Sequence, residues 1–87
     1  MGRVWVKAAE VRDGRLERLE VRLGSLPVRV LGRETTVAWM RDQHSFVTEP
    51  GGVALQLVEI DDGQYAIRTD NQIVAEDSLP GVPTLRA

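Results

Sequence analysis

Two Asp-Gly pairs, Asp13-Gly14 and Asp62-Gly63, constrain the fold of this 87-residue chain more than any other feature. Each pair lies between two runs in which apolar residues recur at alternate positions. Asp and Gly both tolerate the positive backbone angles of a two-residue hairpin turn, and alternation is the period of a β-strand. The sequence therefore predicts two antiparallel hairpins, one in each half of the chain.

Two of the predicted strands, residues 4–12 and 53–60, are apolar at both odd and even positions. A strand of this kind is typical of a sheet centre or of a sheet covered on both sides, so we expect both to be buried on two faces. Further extended runs are predicted at residues 19–23, 28–30, 45–48 and 65–68, with a short edge strand at 72–75. Glu49-Pro50-Gly51-Gly52 predicts a turn.

One short α-helix is predicted at residues 33–42. Glu34 lies in its first turn, where the helix dipole favours a carboxylate, and Val37 and Met40 follow helical spacing. A helix of about two and a half turns does not persist alone, so we expect it to dock through Val37, Met40 and Trp39. The predicted class is α+β: one antiparallel sheet of about five or six strands with one short helix on one face.

Length and composition indicate a single small globular domain over residues 1–87. The chain is 43% hydrophobic and 28% charged, its net charge is -2, and it contains no cysteine. Disulfides, thiolate metal sites and a cysteine nucleophile are thereby excluded. No apolar stretch is long enough for a signal peptide or a membrane span, so we expect a cytoplasmic protein with no membrane association. No nucleotide or metal motif is present either, so we expect no cofactor. Residues 77–86, with two prolines, predict an irregular segment.

Charge is distributed unevenly: residues 1–43 carry nine basic and six acidic groups, and residues 44–87 carry two basic and seven acidic. The basic groups of the first hairpin suggest a weak nucleic-acid binder as one alternative, through Arg12, Arg15, Arg18, Arg22 and Arg29. These arginines alternate with acidic residues, however. Cross-strand ion pairs on a solvated face are therefore the favoured interpretation.

His44 is the only histidine, the residue type that most often serves as a general base. A catalytic role would need a nucleophile in reach, yet consecutive strand residues point to opposite faces, so Ser45 does not suit it. We expect His44 to cap the helix C-terminus instead. We predict no catalytic residue, and one histidine among scattered carboxylates predicts no metal site.

A small-ligand site is a second alternative, with His44, Thr48, Arg68 and Asp70 as its binding residues. The Arg68 guanidinium could hold a carboxylate or phosphate, although pairing with Glu59 across the second hairpin is favoured. The two tryptophans, Trp5 and Trp39, are predicted to lie in the core or at a subunit interface.

The second half of the chain resembles a family of small uncharacterised bacterial proteins, known only as a domain of unknown function. The resemblance depends on Trp39, His44-Ser45-Phe46-Val47-Thr48, Gly51-Gly52, Arg68-Thr69 and Asp77-Ser78-Leu79-Pro80-Gly81-Val82-Pro83. Gly32 lies where the family has a Ser cap, and Val82 where it has Leu. The resemblance implies a compact helix-on-sheet domain and indicates nothing about a substrate.

The leading prediction is therefore a non-enzymatic binding or protein-interaction module that forms a homodimer or binds another protein. In that prediction the two doubly apolar strands supply both core and interface.

Overall fold

The residues that the structure describes form six strands and one helix, which confirms the predicted α+β class. The computed structural model describes residues 2–49 and 51–85; the turn position predicted for Pro50 and residue 86 of the irregular segment lie outside these residues. The elements are β1 (Arg3–Arg12), β2 (Arg15–Arg22), β3 (Arg29–Gly32), α1 (Arg33–Arg41), β4 (Ser45–Thr48), β5 (Gln56–Asp61) and β6 (Gln64–Arg68).

The strands form two sheets rather than one. Strands β1 to β4 form a four-stranded sheet in the order β3-β2-β1-β4, and β5 pairs with β6 in a separate antiparallel sheet. The pairing of β1 with β4 is parallel, whereas the sequence predicted antiparallel pairing throughout. The reason is the connection through α1, which carries the chain from one sheet edge to the other, so that β4 runs in the direction of β3 and β1.

The first predicted hairpin is confirmed. Asp13 and Gly14 have φ angles of 54° and 74°, as a two-residue turn with two left-handed residues requires, and Arg12 pairs with Arg15. The register shifts by one residue at Lys7 in β1 and shifts back at Glu17 in β2. These two bulges compensate each other, so the pairs next to the turn have the same register as the pairs at the opposite end of the hairpin, Trp5 with Arg22 and Val6 with Val21.

The second hairpin is also present, but its first strand is shorter and more exposed than predicted. The turn at Gly63, with φ 79°, joins β5 and β6. Residues 53–55 instead hydrogen bond to β4: Thr48 N–H donates to Val53 O at 2.8 Å, and Leu55 N–H to Phe46 O at 2.8 Å. The prediction of burial on two faces is wrong for this strand, because Val53 is 45% exposed and its other apolar residues, Leu55 apart, are not fully buried.

The predicted edge strand at residues 72–75 is wrong as well. These residues form no strand, and Ile73 is 74% exposed. The residue that pairs with the end of β6 is instead Ser78, which forms a single parallel bridge with Arg68.

The core lies between the four-stranded sheet, the helix and the β5–β6 hairpin. Its fully buried members include Phe46, Leu16, Leu19, Ile67, Val4, Val6 and Val21. The helix docks through Val37, Trp39 and Met40, as predicted, and also through Thr36, which is wholly buried. The Thr36 hydroxyl donates to Gly32 O at 2.9 Å, which allows a polar side chain to be buried there.

Residues 77–85 form a closing segment that runs beside β1. Ala9 N–H donates to Pro83 O, and Leu85 N–H donates to Ala9 O, both at 2.9 Å. Leu79 is buried, so part of the core is contributed by this irregular segment. Within the described residues, no helix is long and apolar enough to cross a membrane.

Candidate functional site

The carboxylate of Asp77 joins four parts of the chain. It accepts hydrogen bonds from Leu16 N–H at 2.6 Å and from Ile67 N–H at 2.8 Å. The Arg33 guanidinium approaches side-on, with Nε at 3.0 Å and Nη2 at 3.2 Å, and Nη2 also donates to Tyr65 O at 2.7 Å. The closing segment, β2, β6 and the start of α1 are thus held at one carboxylate, whose side chain is 2% exposed.

The ionised form of Asp77 is the form that this cluster stabilises. Burial alone would raise the pKa of Asp77, but hydrogen bonds from Arg33 and from the backbone N–H groups of Leu16 and Ile67 outweigh it. The pKa of Asp77 therefore lies below its ordinary value. The sequence predicts only that Asp77 lies in an irregular segment; it does not predict this role, because the partners of Asp77 are remote in sequence.

Arg68 and Asp70, two of the predicted ligand-binding residues, contact each other. Arg68 Nε and Nη2 donate to the two Asp70 oxygens at 2.6 and 3.1 Å, and Nη1 donates to Glu76 O at 2.6 Å. The Arg68 side chain is 9% exposed. The partner of Arg68 is thus Asp70 rather than Glu59, which lies opposite Tyr65. The guanidinium is occupied in holding the loop between β6 and the closing segment.

Thr48 is buried and closes the turn after β4. Its Oγ1 accepts a hydrogen bond from Val53 N–H at 2.9 Å, and its carbonyl oxygen accepts one from Gly52 N–H at 3.0 Å. Thr48 is 3% exposed. These two hydrogen bonds give Thr48 a structural role in the turn.

His44 ends the helix through its backbone rather than through its ring. Gln43 has φ 72°, and the N–H groups of Gln43 and His44 donate to Met40 O and Trp39 O at 3.2 and 3.1 Å. This pair of bonds is a Schellman motif. The ring lies 5.6 Å from the Trp39 ring, and among the described residues its buried Nδ1 has no hydrogen-bond partner. The prediction that His44 caps the helix is correct for the residue, but the capping group is its backbone N–H and not its imidazole ring.

The four predicted ligand residues do not form one cluster. His44 lines a shallow cleft of about 310 Å³ with Arg3, Gln43 and Gln56, and Arg68 does not line it. Gln56, which lines this cleft, is the strand partner of Arg68, but no hydrogen bond in the described part of the chain joins the His44 ring to the Arg68–Asp70 pair. Within residues 2–49 and 51–85, no group of His, Asp and Glu could hold a metal ion.

The two tryptophans have different environments. Trp39 packs on the core beside Phe46, and the Arg29 guanidinium lies 5.7 Å from its ring centroid. Trp5 lies between the core residues Val4 and Val6, so its side chain is on the opposite, outer face of the sheet. It is half-buried there, with the Arg3 guanidinium 5.6 Å from its ring.

Ion pairs cover much of this outer face, in agreement with the expectation of cross-strand pairs. Glu10 accepts from Arg18, its partner in register on β2, at 2.7 Å and from Arg12 at 2.8 Å. Glu49 contacts both Lys7 and Arg22. Three of the five arginines that suggested nucleic-acid binding are therefore paired with carboxylates.

Strand β3 is an exposed edge of the four-stranded sheet. It pairs with β2 on one side, and no other residue that the structure describes pairs with its second side. Three exposed apolar residues lie in it or just before it: Leu26 (59% exposed), Val28 (46%) and Val30 (50%), which we call the β3 edge patch. Val30 alternates with the core residue Leu31, so it lies on the outer face, as Trp5 does.

The short strand is predicted from the sequence, but its edge position is not. The sequence signal for an edge strand is Pro27, which directly precedes the alternating residues Val28, Arg29 and Val30. Proline is typical of edge strands because it has no N–H to donate to a second neighbour. No protein-family model, curated protein or solved structure matches this chain.

Proposed function

We propose that this protein is a non-enzymatic interaction module that self-associates by pairing β3 with β3 of a second copy. The observation that carries the proposal is the β3 edge patch, because it combines an unpaired strand edge with exposed apolar side chains. Such an edge is a ready template for another strand, and natural proteins usually protect it with charges or a covering segment.

The sequence of β3 is self-complementary in one antiparallel register. If two copies meet on a two-fold axis at Val30, then Val30 lies opposite Val30, Arg29 opposite Leu31, and Val28 opposite Gly32. Gly32 has no side chain, and a Cβ built there has no neighbour within 4 Å. The Val28 side chain of the second copy would fill this space. Apolar pairs of this kind stabilise a sheet.

The neighbouring registers are less favourable for electrostatic and backbone reasons. An axis at Arg29 places two arginines directly opposite each other, and an axis at Leu31 places Arg29 opposite Arg33. Like charges directly opposite across strands are destabilising. An axis at Val28 brings Pro27 into the ladder, where it has no N–H to donate. These considerations favour the register centred on Val30.

The other functional alternatives receive less support from the described contacts. Binding of a ligand by Arg68 would require its guanidinium to leave Asp70 and Glu76. Binding of nucleic acid through the first hairpin would require Arg12, Arg18 and Arg22 to exchange their carboxylate partners for phosphates. We keep the cytoplasm as the proposed compartment, since small extracellular domains commonly depend on disulfides and this chain has no cysteine.

Sedimentation velocity over a range of protein concentrations tests the proposal. We expect a reversible dimer, and we expect Val30→Lys to weaken its association by at least about tenfold, because two ammonium groups would meet at the axis. Val53→Lys is the matched control: Val53 is similarly exposed at 45% but lies outside β3, so it should leave the dimer intact. A protein that remains monomeric at every concentration, or a dimer insensitive to Val30→Lys, would contradict the proposal.

Cysteine trapping tests the register. Because the chain has no cysteine, Val30→Cys introduces a single thiol. Directly opposite residues of antiparallel strands have Cα atoms roughly 4.5 to 5.5 Å apart, within the range of a disulfide. Val30→Cys should therefore give a disulfide-linked dimer on mild oxidation, whereas Arg29→Cys should not. Efficient linkage at Arg29 alone would show that another register is used.

A further inference from the structure

A second feature, separate from β3, is a cleft between α1 and the β5–β6 hairpin. Its volume is about 410 Å³, within the range of small-molecule sites. One wall is a stripe of the helix, and the other is the hairpin around Tyr65. The lining residues that bear on its chemistry are Arg15, Arg33, Glu34, Val37, Arg41 and Tyr65.

Arg33 presents a fixed donor group to this cleft. Its Nε and Nη2 are held by Asp77 and by Tyr65 O, and the side chain is 20% exposed. In the described part of the chain, Nη1 donates to no residue. A guanidinium that is already held in place loses little side-chain entropy when it binds an anion, so its free N–H groups are preorganised.

Arg41 lies at the other end of the same helix stripe. Its guanidinium lies 5.5 Å from the Tyr65 ring centroid, a cation–π distance that also leaves its N–H groups free to donate. Arg15 lines the cleft from the start of β2, and neither it nor Arg41 forms an ion pair with a described carboxylate. Arg33 and Arg41 therefore present guanidinium groups to one concave surface, whereas Arg15 follows the hairpin turn next to the buried Leu16 and lies at its rim.

Acidic side chains also lie in and beside the cleft. Asp77 is paired with Arg33, Glu34 is the other acidic lining residue, and the Glu76 carboxylate lies close to Gly14 at the rim. The attraction for an anion therefore comes from the local N–H donors of Arg33 and Arg41 and not from a net positive charge of the cleft. Val37 and the Tyr65 ring add apolar surface beside the guanidinium groups.

We infer that this cleft binds a small molecule that carries a carboxylate or phosphate group next to a compact apolar portion. The anion receives donors from Arg33 Nη1 and from Arg41, and the apolar portion packs against Val37 and Tyr65. The inference does not depend on self-association, because none of these residues belongs to the β3 edge patch.

Amide chemical-shift titrations with sodium phosphate, sodium benzoate and neutral benzamide test the inference. We expect saturable shifts for one or both anions at Ala38, Gly63 and Tyr65, which line the cleft, and weaker or no saturation with benzamide. Comparing phosphate with benzoate shows which anionic group and how much apolar surface the cleft prefers. Sodium chloride at equal ionic strength is the reference for general salt effects.

Two arginine variants make the result specific. Arg41→Gln should weaken anion binding about tenfold, as loss of a charge-assisted hydrogen bond implies. Arg12→Gln is the control, since Arg12 is exposed and paired with Glu10 on the outer face. Arg33 is left unchanged because its replacement would disturb Asp77. Shifts that do not saturate, or an affinity unchanged in Arg41→Gln, would overturn the inference.

Discussion

Asp77 and Leu16 are 61 residues apart in sequence, yet the carboxylate of Asp77 accepts a 2.6 Å hydrogen bond from the Leu16 backbone N–H. Leu16 is wholly buried, so without this acceptor its N–H would be unsatisfied in the interior. The same carboxylate is the partner of Arg33 at the start of the helix. One side chain therefore links the first hairpin, the helix and the closing segment.

Asp77→Asn should lower the free energy of unfolding by about 3 kcal/mol. The amide has one acceptor oxygen in place of two, and its NH₂ group would face Arg33 or a backbone N–H donor at a buried site. Urea unfolding measures the change. Asp62→Asn is the control, because Asp62 is exposed in the hairpin turn and its replacement should change stability by less than about 0.5 kcal/mol. Equal effects of the two substitutions would contradict the role assigned to Asp77.

Acid should destabilise the protein through the same carboxylate. Because the pKa of Asp77 is lowered in the folded state, its stabilising contribution is fully present above the ordinary carboxyl pKa and is lost as pH falls through the folded value. Hydrogen bonds from arginine and lysine side chains lower the pKa values of Glu10, Glu49 and Asp70 and act in the same direction. Urea midpoints measured from pH 5 down to pH 2 should fall, and less steeply for Asp77→Asn. Parallel curves of urea midpoint against pH for the unsubstituted protein and Asp77→Asn would contradict a contribution of Asp77 to acid sensitivity.

Gly14→Ala should destabilise the protein more than Gly63→Ala. Both glycines have a positive φ, 74° and 79°, which costs a residue with a Cβ roughly 1 to 2 kcal/mol. At Gly14 the new Cβ would also lie 2.7 Å from Glu76 Cγ, whereas at Gly63 it would have no neighbour within 4 Å. Thermal unfolding of both variants measures the difference. Adding Glu76→Ala should remove most of it, and failure to do so would show that the contact is not its cause.

Gln43→Gly should stabilise the protein by about 1 kcal/mol. Gln43 has φ 72° at the helix C-terminus, a conformation that glycine adopts without the steric cost of a Cβ. Gln56→Gly is the control, because Gln56 is an exposed strand residue where glycine should be destabilising. Denaturant unfolding of both variants decides the matter, and a loss of stability in Gln43→Gly would contradict the role assigned to this backbone angle.

The elements that sequence predicted correctly are those whose cause is local. Asp13-Gly14 specifies a turn through its own backbone preferences, and the helix follows from spacing within residues 33–42. The predicted helix extends one residue beyond the observed end at Arg41, because Asp42 and Gln43 turn the chain out of the helix.

The features that sequence did not predict depend on contacts between distant segments. Nothing in the pattern of residues 45–48 distinguishes a parallel from an antiparallel neighbour, since alternation is the same in both. Val53 and Leu55 were assigned to the following strand because they are apolar, yet their backbone groups bond to β4. Arg68 was predicted to meet Glu59 from hairpin geometry, but the loop beyond β6 supplies a nearer carboxylate.

The candidate site was predicted even less completely than the fold. The prediction of a ligand site at His44, Thr48, Arg68 and Asp70 depends on residue type alone. In the structure, Thr48, Arg68 and Asp70 form internal hydrogen bonds. Val30 and Arg41 have no distinctive sequence context. Their roles depend on the edge position of β3 and on the cleft beside α1, and both follow from contacts between distant segments.

The pairing of the closing segment with β1 also has a kinetic consequence. Ala9 obtains its edge partners from Pro83 and Leu85, so part of the first strand is completed by residues at the far end of the fold. Contacts with such long sequence separation slow folding, because a large loop must close before they form. During synthesis, the first hairpin would leave the ribosome well before Asp77, with the Leu16 N–H still unsatisfied. The last step of folding is therefore expected to be the arrival of the closing segment, and hydrogen exchange should find that segment among the first to open.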